Sequence, residues 1–203
     1  MQQVFPDQGE RSVAELYDDP RRSRLADRPW IVLSMISSAD GAMAIDGMSG
    51  GLGNDSDRSV FRHLRSIADG VLVGARTVRS ESYSPLPSHQ TLVVVSQTRN
   101  LGVHSSALTA AGNTLVVDGE VRGICSALAG DIWILEGGPS LNAQMLAADC
   151  IDEVCLTIAP RFLASDASRI IGDGEFADHQ WDLAHIAHDG RFVFLRYVRR
   201  RSD

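Results

Sequence analysis

The fold is decided by the stretch Ile132-Trp133-Ile134-Leu135-Glu136-Gly137-Gly138-Pro139-Ser140-Leu141. Its four apolar residues indicate a strand buried on both faces, because a strand with one solvated face alternates apolar and polar residues. Two glycines then allow a close approach of the backbone, and Pro139 suits the first turn of a helix, where its missing N–H costs little. A buried strand that leads through a glycine turn into a helix is typical of α/β proteins.

The same pattern of strand and helix repeats on both sides of this stretch. Short apolar runs predict further strands at residues 30–35, 71–73, 91–95, 114–117 and 154–159. A helix is predicted to begin near Asn54, a capping residue followed by acids in the first turn. Two more helices are predicted at residues 121–129 and 141–148. The alternation predicts a mostly parallel sheet with helices on both faces.

The C-terminal region carries the signal of a β-hairpin. Asp189-Gly190 lies between the strand-like residues 181–188 and 191–198. Asp-Gly accepts the positive φ angles of a type I′ turn, whose twist matches that of the flanking strands. The predicted fold class is therefore α/β, with a mixed, mostly parallel central sheet and a C-terminal antiparallel hairpin at its edge.

Length and polarity suggest the domain boundaries. A chain of 203 residues suits one domain, since a single core commonly serves about 100–200 residues. Residues 1–29 are polar and of mixed charge. We expect them to form an arm that packs loosely on the domain formed by residues 30–203.

The composition excludes several classes of function. All 19 basic residues are arginine, which excludes lysine nucleophiles, Schiff bases and P-loop lysines. A net charge of −7 argues against a nucleic-acid partner, which needs a basic surface. The three cysteines show no zinc-ligand spacing, so we expect no metal site. No apolar run approaches the roughly 20 residues that cross a bilayer, and no secretory signal begins the chain, so a cytoplasmic protein without a membrane partner is expected.

Three loops that contain glycine follow predicted strands, at residues 37–41, 74–77 and 136–141. Ligands of such sheets bind beyond the carboxyl ends of the strands. The free N–H groups that follow Gly137-Gly138 suit a phosphate or pyrophosphate, although no GxGxxG motif indicates a Rossmann site. From the residues alone, this segment can equally be a tight turn, Asp40 the centre of an Asx-turn, and Glu136 a rim carboxylate.

Taken together, these segments resemble the reductase domain of bacterial riboflavin biosynthesis, whose fold is similar to that of dihydrofolate reductase. The matching motifs agree in order and spacing from about Trp30 to the C-terminal hairpin. They are Ser38-Ala39-Asp40-Gly41, then Ala68-Asp69-Gly70-Val71-Leu72-Val73-Gly74-Ala75-Arg76-Thr77-Val78, then Glu136-Gly137-Gly138-Pro139-Ser140-Leu141, and finally Ile151-Asp152-Glu153-Val154-Cys155-Leu156-Thr157-Ile158-Ala159-Pro160.

The resemblance implies a dihydrofolate-reductase-like, three-layer fold and a homodimer. It also implies an NADPH-dependent reductase whose small-molecule substrate is a phosphoribosylamino-pyrimidine, reduced at the ribosyl C1′ to a ribitylamino product. In such a reaction the cofactor carries the difficult chemistry, and the protein aligns the reacting carbons.

Site residues are carried over from the resemblance by position. Glu136 and Asp40 are the expected catalytic residues, with Asp40 shaping the pocket rather than transferring protons, and Ser49, Arg65 and Glu136 are the expected substrate contacts. Ser96, after a predicted strand, is expected to hold the 2′-phosphate. The residues expected to contact NADPH are Ile36, Gly51, Thr77, Glu81, Ser96, Gly137, Gly138, Pro139, Ser140, Leu141 and Asn142.

The chain departs from the family pattern mainly on the substrate side. Ser34 and Ala42 stand where the family usually carries basic residues, Glu81-Ser82-Tyr83 replaces an Asp-Asp-Pro segment, and no tryptophan lies near Gly51. The deaminase domain often fused upstream is expected to be absent. Two alternatives to the riboflavin reaction therefore stay open. One is NADPH-dependent reduction of another heterocycle, such as a pteridine or a dihydrofolate-like compound, and the other is nucleotide binding without turnover.

Overall fold

A ten-stranded sheet forms the centre of the protein, as seen in a computed structural model that describes residues 1–81, 83–164 and 166–201. Ser82 of the Glu81-Ser82-Tyr83 segment lies outside the described residues. The strands are β1 (Gln2–Phe5), β2 (Gly9–Glu10), β3 (Trp30–Ser38), β4 (Gly70–Gly74), β5 (Thr91–Val95), β6 (Thr114–Val117), β7 (Ile132–Leu135), β8 (Glu153–Ala159), β9 (Trp181–His188) and β10 (Val193–Arg199).

The helices of the described residues connect these strands and cover both faces of the sheet. They are α1 (Val13–Tyr17), α2 (Asp55–Ser66), α3 (Ala75–Ser80), α4 (Ser105–Ala110), α5 (Val121–Ala127) and α6 (Pro139–Ala147), with a 3-10 turn at Gly102–His104. Val32 packs with α1 and α2, whereas its neighbours Ile31 and Leu33 pack with α5 and α6. Successive strand residues point to opposite faces, so β3 has helices on both sides.

The strand order is β2-β1-β9-β10-β8-β3-β7-β4-β5-β6. The six strands from β8 to β6 run parallel, while β10, β9, β1 and β2 pair antiparallel. This confirms the predicted α/β class with a mostly parallel mixed sheet, helices on both faces and a C-terminal hairpin. The antiparallel strands all lie on one side, so the other edge is the parallel strand β6.

The N-terminal residues differ from the expected loose arm. β1 pairs antiparallel with β9, and the side chains of Leu16 and Tyr17 on α1 are buried in the core. Ser12 and Glu15 form a capping box at the start of α1. The polar composition of residues 1–29 was misleading because their burial involves two apolar side chains and paired arginines rather than a long apolar run.

The hairpin turn also differs from the prediction. Val193 is paired with His188, so the connection has four residues rather than two. Gly190 has a positive φ of 94°, but Asp189 does not, whereas a type I′ turn needs positive φ at both central positions. The Asp189 carboxylate instead accepts hydrogen bonds from the N–H groups of Arg191 and Phe192 (3.0 and 2.8 Å). The side chain thus organises a wider loop.

A buried ionic cluster ties the N-terminal segment to the antiparallel part of the sheet. Glu153 of β8 accepts hydrogen bonds from Arg22 (2.9 and 2.5 Å) and from Arg196 of β10 (2.6 and 3.2 Å). Arg196 also contacts Asp19 at 2.5 Å. Nearby, Arg28 forms a second buried pair with Asp152 at 2.5 Å. Residues 19–28 are therefore part of the folded core rather than an appendage.

We expect acid to destabilise the protein first through His185. Burial, and then the charge of Arg196, lower the pKa of this imidazole from 6.5 to about 4. The unfolded chain therefore binds a proton more readily, so the stabilisation is complete above about pH 6.5 and is lost as the pH falls towards 4. The loss amounts to at most about 3 kcal/mol.

Urea unfolding at pH 7 and pH 5 would measure this effect, with His185→Gln as the comparison variant. The variant should lose less stability than the wild type between the two pH values. An equal loss in both proteins would contradict the assignment to His185.

Candidate active site

A cavity of about 620 Å³ lies between α2 and the carboxyl ends of the parallel strands. Three structural features place it there: strand β3 ends on one side, Glu136 follows β7, and the loop at residues 43–53 closes the top. Its lining residues are Ser34, Met35, Ile36, Met43, Met48, Ser49, Gly50, Gly51, Gly53, Asp57, Arg58, Val60, Phe61, Arg65, Thr77, Glu81, Tyr83, Ser84, Glu136, Cys155 and Thr157.

The polar centre of the cavity is formed by Arg65, Glu136 and Tyr83. Arg65 donates two hydrogen bonds to the Glu136 carboxylate, from Nε (2.6 Å) and Nη2 (2.7 Å). The Tyr83 hydroxyl donates to the same carboxylate. The Arg65 guanidinium lies over the rings of Phe61 (4.4 Å) and Tyr83 (5.5 Å). The forked donors of arginine match a carboxylate in this geometry and fix its orientation.

Burial and the neighbouring charge of Glu136 hold Arg65 and Tyr83 in defined protonation states. The Glu136 side chain is only 6% exposed and that of Arg65 27% exposed. Burial alone would lower the pKa of Arg65, but hydrogen bonding and the charge of Glu136 outweigh it and raise that pKa. Burial, and then the charge of Glu136, raise the pKa of Tyr83. Arg65 is therefore a permanent cation, and Tyr83 keeps its proton.

Beside this centre, the end of β4 contacts the turn that follows β7 through glycine residues. The N–H of Gly74, the last residue of β4, donates to the carbonyl oxygen of Gly137 at 2.6 Å. Gly137 has a φ of 80°, a conformation that L side chains rarely adopt, and the peptide bond to Gly138 is cis. A Cβ at Gly138 would lie 2.9 Å from the Thr77 hydroxyl. Glycine thus allows the first turns of α3 and α6 to pack closely at the strand ends, where Gly137 and Gly138 are buried.

The loop at residues 43–53 is tied to this region by hydrogen bonds. The Ser49 N–H donates to the Glu81 carboxylate at 2.7 Å, and the carbonyl oxygen of Gly51 accepts from Arg161 at 2.9 Å. The structure thus brings seven of the expected site residues to one cavity. They are Ile36, Ser49, Gly51, Arg65, Thr77, Glu81 and Glu136.

Asp40 lies outside the lining of this cavity. Its carboxylate accepts hydrogen bonds from the N–H groups of Leu163 and Ala164 (both 2.9 Å) and from the Ser38 hydroxyl. The Ser38 hydroxyl, followed by these backbone donors, lowers the pKa of Asp40. This geometry favours the role of joining two loops, and a catalytic role for Asp40 stays a prediction.

The remaining residues expected to contact the cofactor also lie outside the cavity lining. Ser96 is buried at the end of β5, and its N–H donates to Val117. Asn142 is fully buried, and its amide donates to the carbonyl oxygen of Ile170 at 2.6 Å. This environment suits Asn142 for shaping the turn rather than for meeting a ligand. The others, Gly137, Gly138, Pro139, Ser140 and Leu141, form the turn into α6 behind Thr77.

Sequence analysis missed two groups at the cavity. Tyr83 was treated only as part of a departure from the family pattern, and Asp57 only as an acid in the first turn of a helix. A signal for Asp57 was present, because Asp57, Phe61 and Arg65 are spaced by four and so share one face of α2. Tyr83 lies outside the helices and strands, and no periodicity predicts its direction.

The described residues show neither a cluster of metal ligands nor a helix that could cross a membrane. In residues 1–81, 83–164 and 166–201, no group of three or more His, Cys, Asp or Glu side chains is placed to hold a metal ion. Within the same ranges, no helix combines the length and apolarity needed to cross a membrane.

The fold and the glycine-lined turn define the class of α/β proteins that resemble dihydrofolate reductase. Dihydrofolate reductase from Enterococcus faecalis superimposes with a TM-score of 0.59 at 14% identity, covering 85% of this chain and 97% of that one. The family model described as the RibD C-terminal domain matches residues 29–195. The chain belongs to this family.

Similar proteins agree with this assignment. The riboflavin biosynthesis protein RibD of Mycobacterium tuberculosis is 27% identical over 187 residues, and this chain spans 55% of its length, about half, with 85% of its own residues. A 2,5-diamino-6-ribosylamino-4(3H)-pyrimidinone 5′-phosphate reductase of Methanothermobacter thermautotrophicus is 25% identical over 198 residues, covering 78% of this chain and 90% of that protein. A pyrimidine reductase-like protein of Corynebacterium diphtheriae has a similar fold, with a TM-score of 0.75, 21% identity and coverage of 94% and 99%.

Proposed function

We propose that this protein is an NADPH-dependent reductase of riboflavin biosynthesis that reduces a 5-amino-6-(5-phosphoribosylamino)uracil-type pyrimidine to its ribitylamino product. The observation that carries the proposal is the fixed Arg65–Glu136–Tyr83 centre in a cavity beside the glycine turn at Gly137 and Gly138. The name of the Methanothermobacter relative supports the proposed substrate class. Membership of the RibD C-terminal domain family supports the proposed pathway.

The residues present fit a nicotinamide cofactor. The turn through Gly137 and Gly138 leads directly into the first turn of α6, whose free N–H groups suit a pyrophosphate, and the Thr77 hydroxyl lies beside this turn. We assign the pyrophosphate to the turn at Gly137–Asn142, with Ile36, Gly51, Glu81 and Ser96 as further contacts. When bound, the reduced nicotinamide supplies the hydride. The chain's own residues orient the substrate: Arg65 holds Glu136, and the buried carboxylate accepts hydrogen bonds from the pyrimidine or the sugar.

One observation favours a second candidate, the reduction of another heterocycle such as a pteridine or a dihydrofolate-like compound. Ser34 lines the cavity where the family resemblance suggests a lysine. This feature weakens the case for a phosphate on that side of the cavity. Arg65, the cation at its other end, already pairs with Glu136.

A coupled binding and turnover experiment tests the proposal. NADPH and NADH would first be titrated into the purified protein by calorimetry. Loss of nicotinamide absorbance would then be followed with the phosphoribosylamino-pyrimidine, its dephosphorylated form, a pteridine and dihydrofolate. The proposal expects tighter binding of NADPH and oxidation with the phosphorylated pyrimidine. Oxidation with a pteridine or dihydrofolate alone would support the second candidate, and binding without any turnover would support a non-catalytic nucleotide-binding protein.

We also propose that the protein acts in the cytoplasm as a homodimer. The loop after β8 exposes Phe162 and Phe176, which are 80% and 90% accessible. Large apolar side chains on a surface suit burial against a partner. Sedimentation analysis would test the dimer, and a monomer at micromolar concentration would contradict it.

Gly138→Ala is expected to weaken NADPH binding by about tenfold, which corresponds to about 1.4 kcal/mol. The new Cβ would lie 2.9 Å from the Thr77 hydroxyl, so the turn or the Thr77 side chain would have to shift. Calorimetric titration measures the effect. Gly123→Ala, at an exposed position of α5 where a Cβ meets nothing closer than 3.9 Å, is the matched control. Equal NADPH affinities for the two variants would contradict the assignment of the pyrophosphate to this turn.

A further inference from the structure

Asp57, which the sequence presents only as an acid in the first turn of a helix, lies in the wall of the cavity. It lies in the first turn of α2 and lines the cavity, on the same helix face as Phe61 and Arg65. The helix rises about 1.5 Å per residue, so Asp57 and Arg65 are separated along the cavity by about 12 Å. A carboxyl group and a guanidinium thus mark the two ends of the α2 wall.

The carboxyl of Asp57 is not used for helix capping. Asn54 already caps the helix by accepting a hydrogen bond from the Asp57 N–H at 2.9 Å. The Thr157 hydroxyl on β8 is close enough to the Asp57 carboxyl to lower its pKa. The carboxyl also lies directly over Gly53, where a Cβ would be 2.6 Å from Oδ2. The missing side chain at Gly53 therefore leaves the space that this carboxyl occupies in the cavity wall.

The other carboxylates of the cavity already have strong donors. Glu136 accepts from Arg65 and Tyr83, and Glu81 accepts from the Ser49 N–H. The cation next to Asp57 in sequence, Arg58, donates to Asp55 at 2.6 Å. Among the described residues that line the cavity, Asp57 is the carboxyl with no cation or N–H at hydrogen-bonding distance.

We propose that Asp57 supplies the proton that accompanies the hydride in the proposed reduction, an inference that rests on the proposed function. Reduction of the ring-opened C=N bond adds a hydride, with its two electrons, to carbon and a proton to nitrogen. The nicotinamide is oxidised, the imine is reduced to an amine, and the proton leaves the carboxyl oxygen of Asp57. Water at the cavity mouth then returns a proton to the carboxylate.

The surroundings of Asp57 keep a proton available. Burial raises the pKa of its carboxyl, against the opposing effects of the Thr157 hydroxyl and the charge of Arg58. An acid with a raised pKa remains partly protonated nearer neutral pH and is a better proton donor there. The titratable or charged groups that face it are Arg58 on its own helix, Tyr17 on α1 and Cys155 on β8.

Titration of the protein without ligands tests this environment independently of activity. Carbon-13 NMR of protein labelled at aspartate carboxyls would be compared with that of Asp57→Asn and of Asp55→Asn, a matched control whose side chain is 98% exposed. We expect the signal missing from Asp57→Asn to titrate above the usual range for aspartate. Titration of that signal at or below the usual range would overturn the proposal.

Kinetics then tests the proton transfer. Asp57→Asn should lower kcat by about 100-fold with little change in KM, and should abolish the fall of kcat with rising pH. Asp55→Asn should leave both unchanged. Gly53→Ala displaces the carboxyl without removing it, so its kcat should lie between those of Asp57→Asn and Asp55→Asn. A wild-type pH profile in Asp57→Asn would overturn the proposal, whereas failure of the wild type to oxidise NADPH with the pyrimidine would instead refute the proposed function.

Discussion

Replacing Arg65 by methionine should lower kcat/KM for reduction of the pyrimidine by roughly 100-fold, the factor that corresponds to about 3 kcal/mol. Methionine keeps most of the apolar stem but removes both donors to Glu136. Glu136 would then remain nearly buried with only Tyr83 as a partner. Its carboxylate would lose the orientation that we assign to substrate binding. Steady-state rates of NADPH oxidation measure the loss.

A double-mutant cycle shows whether Arg65 and Glu136 act as one unit. If they do, Glu136→Gln and the double variant should both be about as slow as Arg65→Met, because each breaks the same arrangement. Arg62→Met is the control, since Arg62 is an exposed arginine on the same helix. Additive losses, or equal losses in Arg62→Met and Arg65→Met, would contradict a shared role.

A smaller loss is expected for Tyr83→Phe within the same centre. The phenyl ring would still pack on the guanidinium, while one donor to Glu136 is removed. A neutral hydrogen bond contributes less than a charge-assisted pair. A loss larger than that of Arg65→Met would mean that the hydroxyl, rather than the guanidinium, controls the carboxylate.

The parts of the fold that depend on local pattern could be predicted from sequence. Thr91–Val95, Thr114–Val117 and Ile132–Leu135 are strands with the predicted bounds. The first and third are short apolar runs buried within a parallel sheet, whereas Thr114–Val117 is the edge strand and exposes Leu115. The helix capped by Asn54 also begins where its capping signal places it. The sequence signal for each of these elements lies in a few neighbouring residues.

Elements held by distant partners could not be predicted in this way. β1 has little apolar pattern and exists by pairing with β9, nearly 180 residues later in the chain. The helix at Ser105–Ala110 was missed because a single turn and a half gives too little periodicity to recognise. The turn of the hairpin was misjudged because the Asp189 side chain, rather than the backbone preference of Asp-Gly, determines the loop.

The candidate site likewise contains residues that motif spacing predicts and residues whose position depends on distant contacts. Glu136 and Thr77 follow strands of a parallel sheet, and strand ends gather at one edge, so motif spacing was enough to place them at one cavity. Asp57 depends on Thr157 from a strand one hundred residues away, and on the absence of a side chain at Gly53. A single sequence does not show that residues so far apart in the chain lie close together.

The largest effect on stability is expected at Glu153, where Glu153→Gln should lower the free energy of unfolding by about 3–5 kcal/mol, the usual result of breaking a buried ion pair on one side. The Glu153 side chain is fully buried, and that of Arg22 is 1% exposed. The amide would leave the guanidinium of Arg22 buried without a carboxylate. Arg196 would keep only Asp19. Urea denaturation at pH 7 measures the change.

The pH dependence separates the charge of Glu153 from simple packing. Burial would raise the pKa of Glu153, but the hydrogen bonds and charges of Arg22 and Arg196 outweigh it and lower that pKa from 4.5 to about 2. The ionised form thus stabilises the fold above about pH 4.5, and this contribution is lost as the pH falls towards 2. The wild type should lose stability over that interval, below the range in which His185 titrates, and Glu153→Gln should not show this component.

An exposed pair supplies the control for Glu153→Gln. Asp182 pairs with Arg200, and both side chains are more than half exposed. Water screens such a pair, so Asp182→Asn should change stability far less than Glu153→Gln does. Similar losses in the two variants would mean that the removal of any carboxylate from this acidic chain has the same effect. A large loss for Glu153→Gln alone, concentrated above pH 4.5, would show that the buried ionic cluster holds residues 19–28 against β8 and β10.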